Sequence, residues 1–139
     1  NDNLPGWSQL STGAPVGVFE FDQPLASGDL VEYTIYFLAQ DAQFDNVQLC
    51  DPIPPGTTFF RNSFGVNQGI LLNQNGTEVP QTNIADTDPG RFFSSLAPLL
   101  TPPCPNQIEP QGAVFVNLGD IPPTAPGNVG FVRFRVRID

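Results

Sequence analysis

Only a few residues of this chain have side chains that enzymes, redox sites or metal sites use. The 139 residues include two cysteines, 14 acidic residues and five arginines, but no lysine and no histidine. Without histidine, a serine or cysteine nucleophile lacks its usual base. Paired carboxylates can hydrolyse glycosides, yet no segment of the sequence marks a sugar-binding cleft. We therefore expect that this protein is not an enzyme.

The two cysteines, Cys50 and Cys104, allow a single intramolecular pairing. They form no CxxC motif, and Cys104 lies in the stiff segment Thr-Pro-Pro-Cys-Pro at 101–105, so neither a zinc site nor a reactive thiol is indicated. Two buried free thiols are one interpretation, and a disulfide is the one we favour. A bond across so long a ring stabilises by roughly 4 kcal/mol and implies an oxidising compartment outside the cytosol.

Asp86 and Asp88 are two carboxylates at alternate positions in Asp-Thr-Asp-Pro-Gly at 86–90, as in calcium-binding loops. The segment lacks the remaining acids and the final glutamate of an EF-hand, and its residues also suit a plain turn. A calcium site would need Asp41 or Asp45 brought close by the fold. The turn is our expected structure, and calcium is the only cofactor that the sequence suggests.

Arg133, Arg135 and Arg137 alternate along the sequence, which places them on one face of a strand. We expect a solvated face with ion pairs across strands, for which the sequence offers Glu20, Asp22 and Glu32. Charge would also protect an edge strand from unwanted pairing. The alternative is a docking stripe for an acidic neighbouring subunit.

The net charge of −9 disfavours nucleic acid and anionic membranes as partners.

The elements that position these residues are predicted to be strands. With 16 prolines and 13 glycines along the chain, long helices have almost no room. Alternation of apolar residues marks short strands instead, as at 30–38, where Val31, Tyr33, Ile35 and Phe37 share one face. The other predicted strands are 16–22, 44–50, 57–60, 69–72, 77–79, 113–118 and 131–138. Segment 80–112 is predicted to form long, proline-rich loops.

This spacing of strands and turns predicts an all-β sandwich of about seven or more strands. We divide the chain into a leader, 1–26, and a sandwich domain, 27–139. In the leader, Phe19 and Phe21 share one face of the strand at 16–22, and Trp7 is a candidate anchor. The leader is expected to lie on its own sandwich or to pair with a neighbouring molecule. The sequence contains no run of 18 apolar residues, so it predicts no membrane-spanning helix.

Three segments resemble, in order, the bacterial surface repeat catalogued as domain of unknown function 11. They are Ser-Gly-Asp-Leu-Val-Glu-Tyr-Thr-Ile at 27–35, Asn-Val-Gln-Leu-Cys-Asp-Pro-Ile-Pro-Pro-Gly-Thr at 46–57, and Leu-Gly-Asp-Ile at 118–121, followed by Pro-Gly at 126–127 and the strand through Phe134. The two cysteines and the leader depart from the family pattern. The resemblance implies an immunoglobulin-like sandwich in secreted or wall-bound proteins, without catalytic residues.

On these grounds we expect a non-catalytic structural subunit or module of a secreted bacterial cell-surface assembly, such as a filament, an S-layer-like array or a tandem-repeat protein. Its expected partners are copies of itself or neighbouring repeats. The alternative is an adhesion module that binds a glycan or a protein through its loops.

Overall fold

The computed structural model describes residues 24–94 and 111–139. Within these two stretches the secondary structure is all β, and no helix there is long and apolar enough to cross a membrane. The strands are β1 (Leu30–Leu38), β2 (Phe44–Pro52), β3 (Thr57–Phe59), β4 (Ile70–Gln74), β5 (Thr77–Gln81), β6 (Gly90–Phe93), β7 (Ala113–Ile121) and β8 (Val129–Ile138).

The described strands form two antiparallel sheets. The first sheet has the order β1-β8-β4-β5, and the second has the order β2-β7-β6. The short strand β3 also pairs with β8, beyond the end of β4. Strand β8 therefore lies in the middle of the first sheet, with β1 on one side and both β4 and β3 on the other.

The two sheets pack face to face around one apolar core, because the alternating apolar residues of each strand point to the same side of its sheet. Val132, Phe134 and Val136 of β8 point inward together with Val114 and Val116 of β7. The four apolar residues predicted to share a face of β1 pack against this core. The aromatic rings of Phe59 and Phe92 stack between the sheets, with centroids 4.3 Å apart. The predicted β-sandwich is confirmed.

The turns also follow from the sequence. The Asn75-Gly76 pair joins β4 to β5, and both residues have positive φ, 55° and 76°. Two consecutive residues of this kind make the tight turn whose twist matches a hairpin, which is why Asn-Gly is favoured there.

The prediction that 80–112 forms long loops is wrong at two places, both within 80–94. Strand β5 continues to Gln81 through Pro80, which β5 tolerates because it is an edge strand of the first sheet. Strand β6 then occupies Gly90–Phe93 and pairs with β7. The four residues Gly-Arg-Phe-Phe do not alternate between apolar and polar types, so the signal for β6 lies in its partner strand and not in its own sequence.

Candidate functional site

The candidate calcium ligands lie in the connection between β5 and β6. We call this connection, together with the first residue of β6, the acidic loop (residues 82–90). All four carboxylate oxygens of its two aspartates accept hydrogen bonds within the loop. Asp86 accepts from the Thr82 hydroxyl at 2.6 Å and from the Asp88 backbone N–H at 2.9 Å. Asp88 accepts from the backbone N–H groups of Thr82 at 2.7 Å and of Gly90 at 2.9 Å. The two side chains therefore hold the shape of the turn.

The electrostatics of the acidic loop agree with this structural role. The hydrogen bond from the Thr82 hydroxyl, followed by that from the Asp88 backbone, lowers the pKa of the exposed Asp86 carboxyl. A carboxylate that accepts such bonds is stabilised in its charged form without a cation. Across 24–94 and 111–139, no group of three or more histidine, cysteine or acidic side chains is placed to hold a metal ion. The fold thus brings neither Asp41 nor Asp45 to Asp86 and Asp88.

The arginine stripe (Arg133, Arg135 and Arg137) lies on the outer face of β8, as the alternation predicted. Glu32 of β1 lies opposite Arg135, and its two oxygens are 2.8 Å from Nε of Arg135 and 3.3 Å from Nε of Arg133. The expected ion pairing across strands is therefore present for Glu32. Arg133 also donates a hydrogen bond to the Thr34 hydroxyl at 3.1 Å.

Aromatic rings complete the surroundings of the first two arginines. The guanidinium of Arg133 lies 4.6 Å from the ring centroid of Phe131, and that of Arg135 lies 5.1 Å from the ring centroid of Phe64. Such contacts add a cation–π attraction to the ion pairs. Arg137 is exposed, and the described chain gives it no carboxylate partner.

The expectation that the stripe protects an edge strand is wrong. Strand β8 pairs with β1 on one side and with β4 and β3 on the other, so its backbone groups are used in the sheet. Period-two alternation reveals which face a residue occupies, but it carries no information about which strands become neighbours.

Asn83 joins the two sheets, a role that the sequence analysis missed. Its side-chain oxygen accepts the Gly69 N–H at 2.9 Å, and its Nδ2 donates to the Arg61 carbonyl at 2.7 Å. Its backbone N–H donates to the Asn67 carbonyl at 2.9 Å, and its own carbonyl accepts the Phe92 N–H at 3.1 Å. One buried residue thus fastens the β3–β4 loop (residues 60–69) to the acidic loop and to β6. A single asparagine among many gives no sequence signal for this role.

Two exposed apolar residues lie beside this junction. Val66 is 86% exposed and Ile84 is 64% exposed. Val66 precedes Asn67 and Ile84 follows Asn83, and these two asparagines are joined by a backbone hydrogen bond. Both exposed side chains are therefore held on loops that are fixed to each other. Exposed aliphatic residues on a fixed loop are suited to contact a partner.

The structure describes one of the two cysteines that are predicted to form a disulfide. Cys50 lies in β2 opposite Phe115 of β7, and 24–94 and 111–139 contain no free cysteine. Cys104 lies outside the described residues, so the Cys50–Cys104 bond stays a prediction. Asp51, the next residue, lies opposite Val114, and burial raises the pKa of its carboxyl.

The predicted leader contacts also lie outside the described residues. These are Trp7, Phe19 and Phe21, together with the acids Glu20 and Asp22.

Comparison with known proteins found no matching protein-family model, no matching curated protein and no matching solved structure.

Proposed function

We propose that this chain is a non-catalytic structural subunit or module of a secreted bacterial cell-surface assembly. The observation that carries the proposal is the set of hydrogen bonds and ion pairs that the charged side chains of the described residues make. The acidic loop uses both of its carboxylates to hold a turn, and Glu32 binds two arginines of the stripe. Charges that are used in this way serve the shape of the sandwich rather than a reaction.

Three further points support the proposal. The segments at 27–35, 46–57 and 118–121 resemble a bacterial surface repeat with an immunoglobulin-like sandwich, and all three include residues of the described strands. A Cys50–Cys104 disulfide, if formed, belongs to an oxidising compartment, as for secreted proteins. A net charge of −9 also favours solubility outside the cell.

The leader is the proposed means of assembly, through pairing with the open edge of a neighbouring sandwich. We expect the full chain to form large, concentration-dependent assemblies, which light scattering and negative-stain microscopy measure. A variant that lacks residues 1–15 should be a folded monomer. Arg137→Gln is the matched control, since it removes the exposed charge of the stripe and should leave assembly unchanged.

Three outcomes would contradict the proposed assembly. A full chain that stays monomeric at every concentration argues against polymerisation. Assemblies that persist without residues 1–15 remove the leader from the mechanism. Assemblies that disappear in Arg137→Gln instead assign the contact to the arginine stripe.

The second candidate function is adhesion, which the exposure of Val66 and Ile84 favours. Two aliphatic side chains at the tips of fixed loops form a small apolar contact for a glycan ring or a protein. The double substitution of Val66→Ser and Ile84→Ser should weaken binding at least tenfold in a glycan and extracellular-protein binding screen. Val79→Ser, at another exposed valine, is the control. Equal binding by both variants would reject the loop tips as the binding site.

A further inference from the structure

The turn between β4 and β5 consists of Asn75 and Gly76, which are both exposed to solvent. Gln74 and Thr77 are the last paired residues of the two strands, so the backbone N–H of Gly76 lies outside the ladder of hydrogen bonds. A Cβ built on Gly76 would meet no atom within 4 Å. The backbone nitrogen of Gly76 is therefore neither bonded in the ladder nor shielded by a neighbouring side chain.

The side-chain amide of Asn75 is also free to react. It has no hydrogen-bond partner among residues 24–94 and 111–139. Its Oδ1 atom lies against the β7–β8 loop (residues 122–128), where a Cβ on Gly127 would come within 2.9 Å of it. Four other described asparagines use their side chains in hydrogen bonds, namely Asn62, Asn83, Asn117 and Asn128.

We propose that Asn75 is a site of spontaneous covalent modification, at which the chain converts its own asparagine into aspartate and isoaspartate. Asparagine is a thermolabile residue, and Asn75 is the only asparagine of the sequence that is followed by glycine. A glycine has no side chain to hinder the approach of its backbone nitrogen. This chemistry is independent of the proposed function.

The reaction needs only the two residues of the turn and water. The backbone nitrogen of Gly76 loses its proton to the solvent and forms a bond to Cγ of Asn75. The Cγ–Nδ2 bond breaks, the nitrogen takes a proton from water and leaves as ammonia, and a five-membered cyclic imide remains. Water then opens the imide. Cleavage of the new bond at Cγ gives aspartate, and cleavage at the backbone carbonyl carbon gives isoaspartate.

The position of the turn lets the two atoms meet. The turn must open briefly to bring the Gly76 nitrogen to Cγ of Asn75, and loop tips open at a low cost in free energy. Strand β5 lies at the edge of the first sheet and pairs with β4 alone in the described chain. Few contacts therefore oppose the opening.

Asn67 is a matched comparison within the same chain. It is exposed, its φ of 58° is close to the 55° of Asn75, and its side chain likewise has no partner among the described residues. The next residue is Gln68, whose backbone N–H donates to the Gly65 carbonyl at 3.0 Å. The attacking nitrogen is thus both bonded and shielded by a side chain, so Asn67 should stay intact.

Conversion of Asn75 changes the hairpin in two ways. The new carboxylate adds one negative charge, and isoaspartate adds one backbone atom to a turn that sets the register of β4 and β5. Gln74 holds this end of the hairpin to β7, because its Nε2 donates to the Leu118 carbonyl at 3.0 Å. We expect the converted chain to bind an anion exchanger more tightly and its hairpin amides to exchange faster with solvent.

The test is incubation of the full chain in mildly alkaline buffer, followed by peptide mapping with mass spectrometry. A free peptide of residues 72–79 in the same solution serves as the clock. We expect aspartate and isoaspartate at position 75, at a rate that rises with pH because the attacking nitrogen must lose a proton. Gly76→Ala should slow the conversion at least tenfold, and its far-ultraviolet spectrum shows whether the fold is kept.

Three results would overturn the proposal. An intact Asn75 after the peptide has fully converted would show that the folded turn protects it. Equal conversion at Asn67 would show that exposure alone decides the reaction. A sugar on Asn75 in the chain isolated from its source organism would show that the amide is blocked, since Asn-Gly-Thr at 75–77 also matches the acceptor sequence for N-glycosylation. Should Gly76→Ala fail to fold, Asn67 and the peptide still decide the question.

Discussion

Truncation of Asn83 to alanine is the sharpest test of how the two loops are held. The substitution removes the acceptor of the Gly69 N–H and the donor to the Arg61 carbonyl, while the backbone bonds of residue 83 remain. Asn83 is only 4% exposed, so water cannot readily replace its amide. The backbone at Gly69 packs closely against the Phe59 ring, since a Cβ there would clash with that ring.

The magnitude follows from the two groups that lose their partners. A buried N–H group left without an acceptor costs about 1–3 kcal/mol, and the bond to the less buried Arg61 carbonyl is worth about 1 kcal/mol. We expect the free energy of unfolding to fall by about 2–4 kcal/mol. For a domain of this size, the thermal midpoint should fall by about 6–12 °C.

The measurement is urea unfolding followed by circular dichroism, with the slope against denaturant unchanged. Asn62→Ala is the control, because its side chain accepts one hydrogen bond, from the Asn67 N–H at 2.9 Å, in an exposed position. It should cost less than about 1 kcal/mol. Equal losses in the two variants, or a loss below about 1 kcal/mol for Asn83→Ala, would refute the assigned role.

Three further predictions concern the charged groups. Burial raises the pKa of Asp51, so ionisation of this carboxyl destabilises the fold once the pH exceeds the ordinary pKa of an aspartate. Asp51→Asn should therefore raise the thermal midpoint at pH 7. This gain should disappear near pH 3, where the carboxyl is protonated in both states. Thr82→Val should shift the lowered pKa of Asp86 upward in a carboxyl NMR titration, and an unchanged pKa would contradict the assigned hydrogen bond. Glu32→Gln should cost about 0.5–1 kcal/mol in urea unfolding, less at 1 M salt, and salt-independent loss would show that its charge is unimportant.

The sequence predicts the inner faces of the strands well, because burial of one face imposes a period of two. The inward residues of β1 and β8 are correct for this reason, and their outward neighbours include the ion pair of Glu32 with Arg133 and Arg135. Pairing across strands was also correctly expected for the stripe, since opposite charges on adjacent strands attract. The order of strands was not predicted, and β8 was wrongly considered an edge.

The missed features share a physical cause. Strand β6, the hydrogen bonds of Asn83 and the packing of Phe93 with Ala113 and Phe115 are all created by residues that are distant in sequence. Phe92 and Phe93 follow one another, yet Phe92 packs against the core and Phe93 packs with Ala113 and Phe115 in a second cluster. Only the position of β7 beside them decides which neighbours they meet.

The central position of β8 has a consequence for how the protein acquires its structure. Its partners β1, β3 and β4 come much earlier in the chain, and the bond from Arg133 to Thr34 spans 99 residues. At roughly 5–20 residues per second, synthesis needs about 5–20 s to pass from β1 to β8. The first sheet cannot close during that interval, and non-local pairing of this kind is slow in any case. A nascent chain that stops before Val129 therefore leaves three strands without their common partner, so the first sheet is completed late.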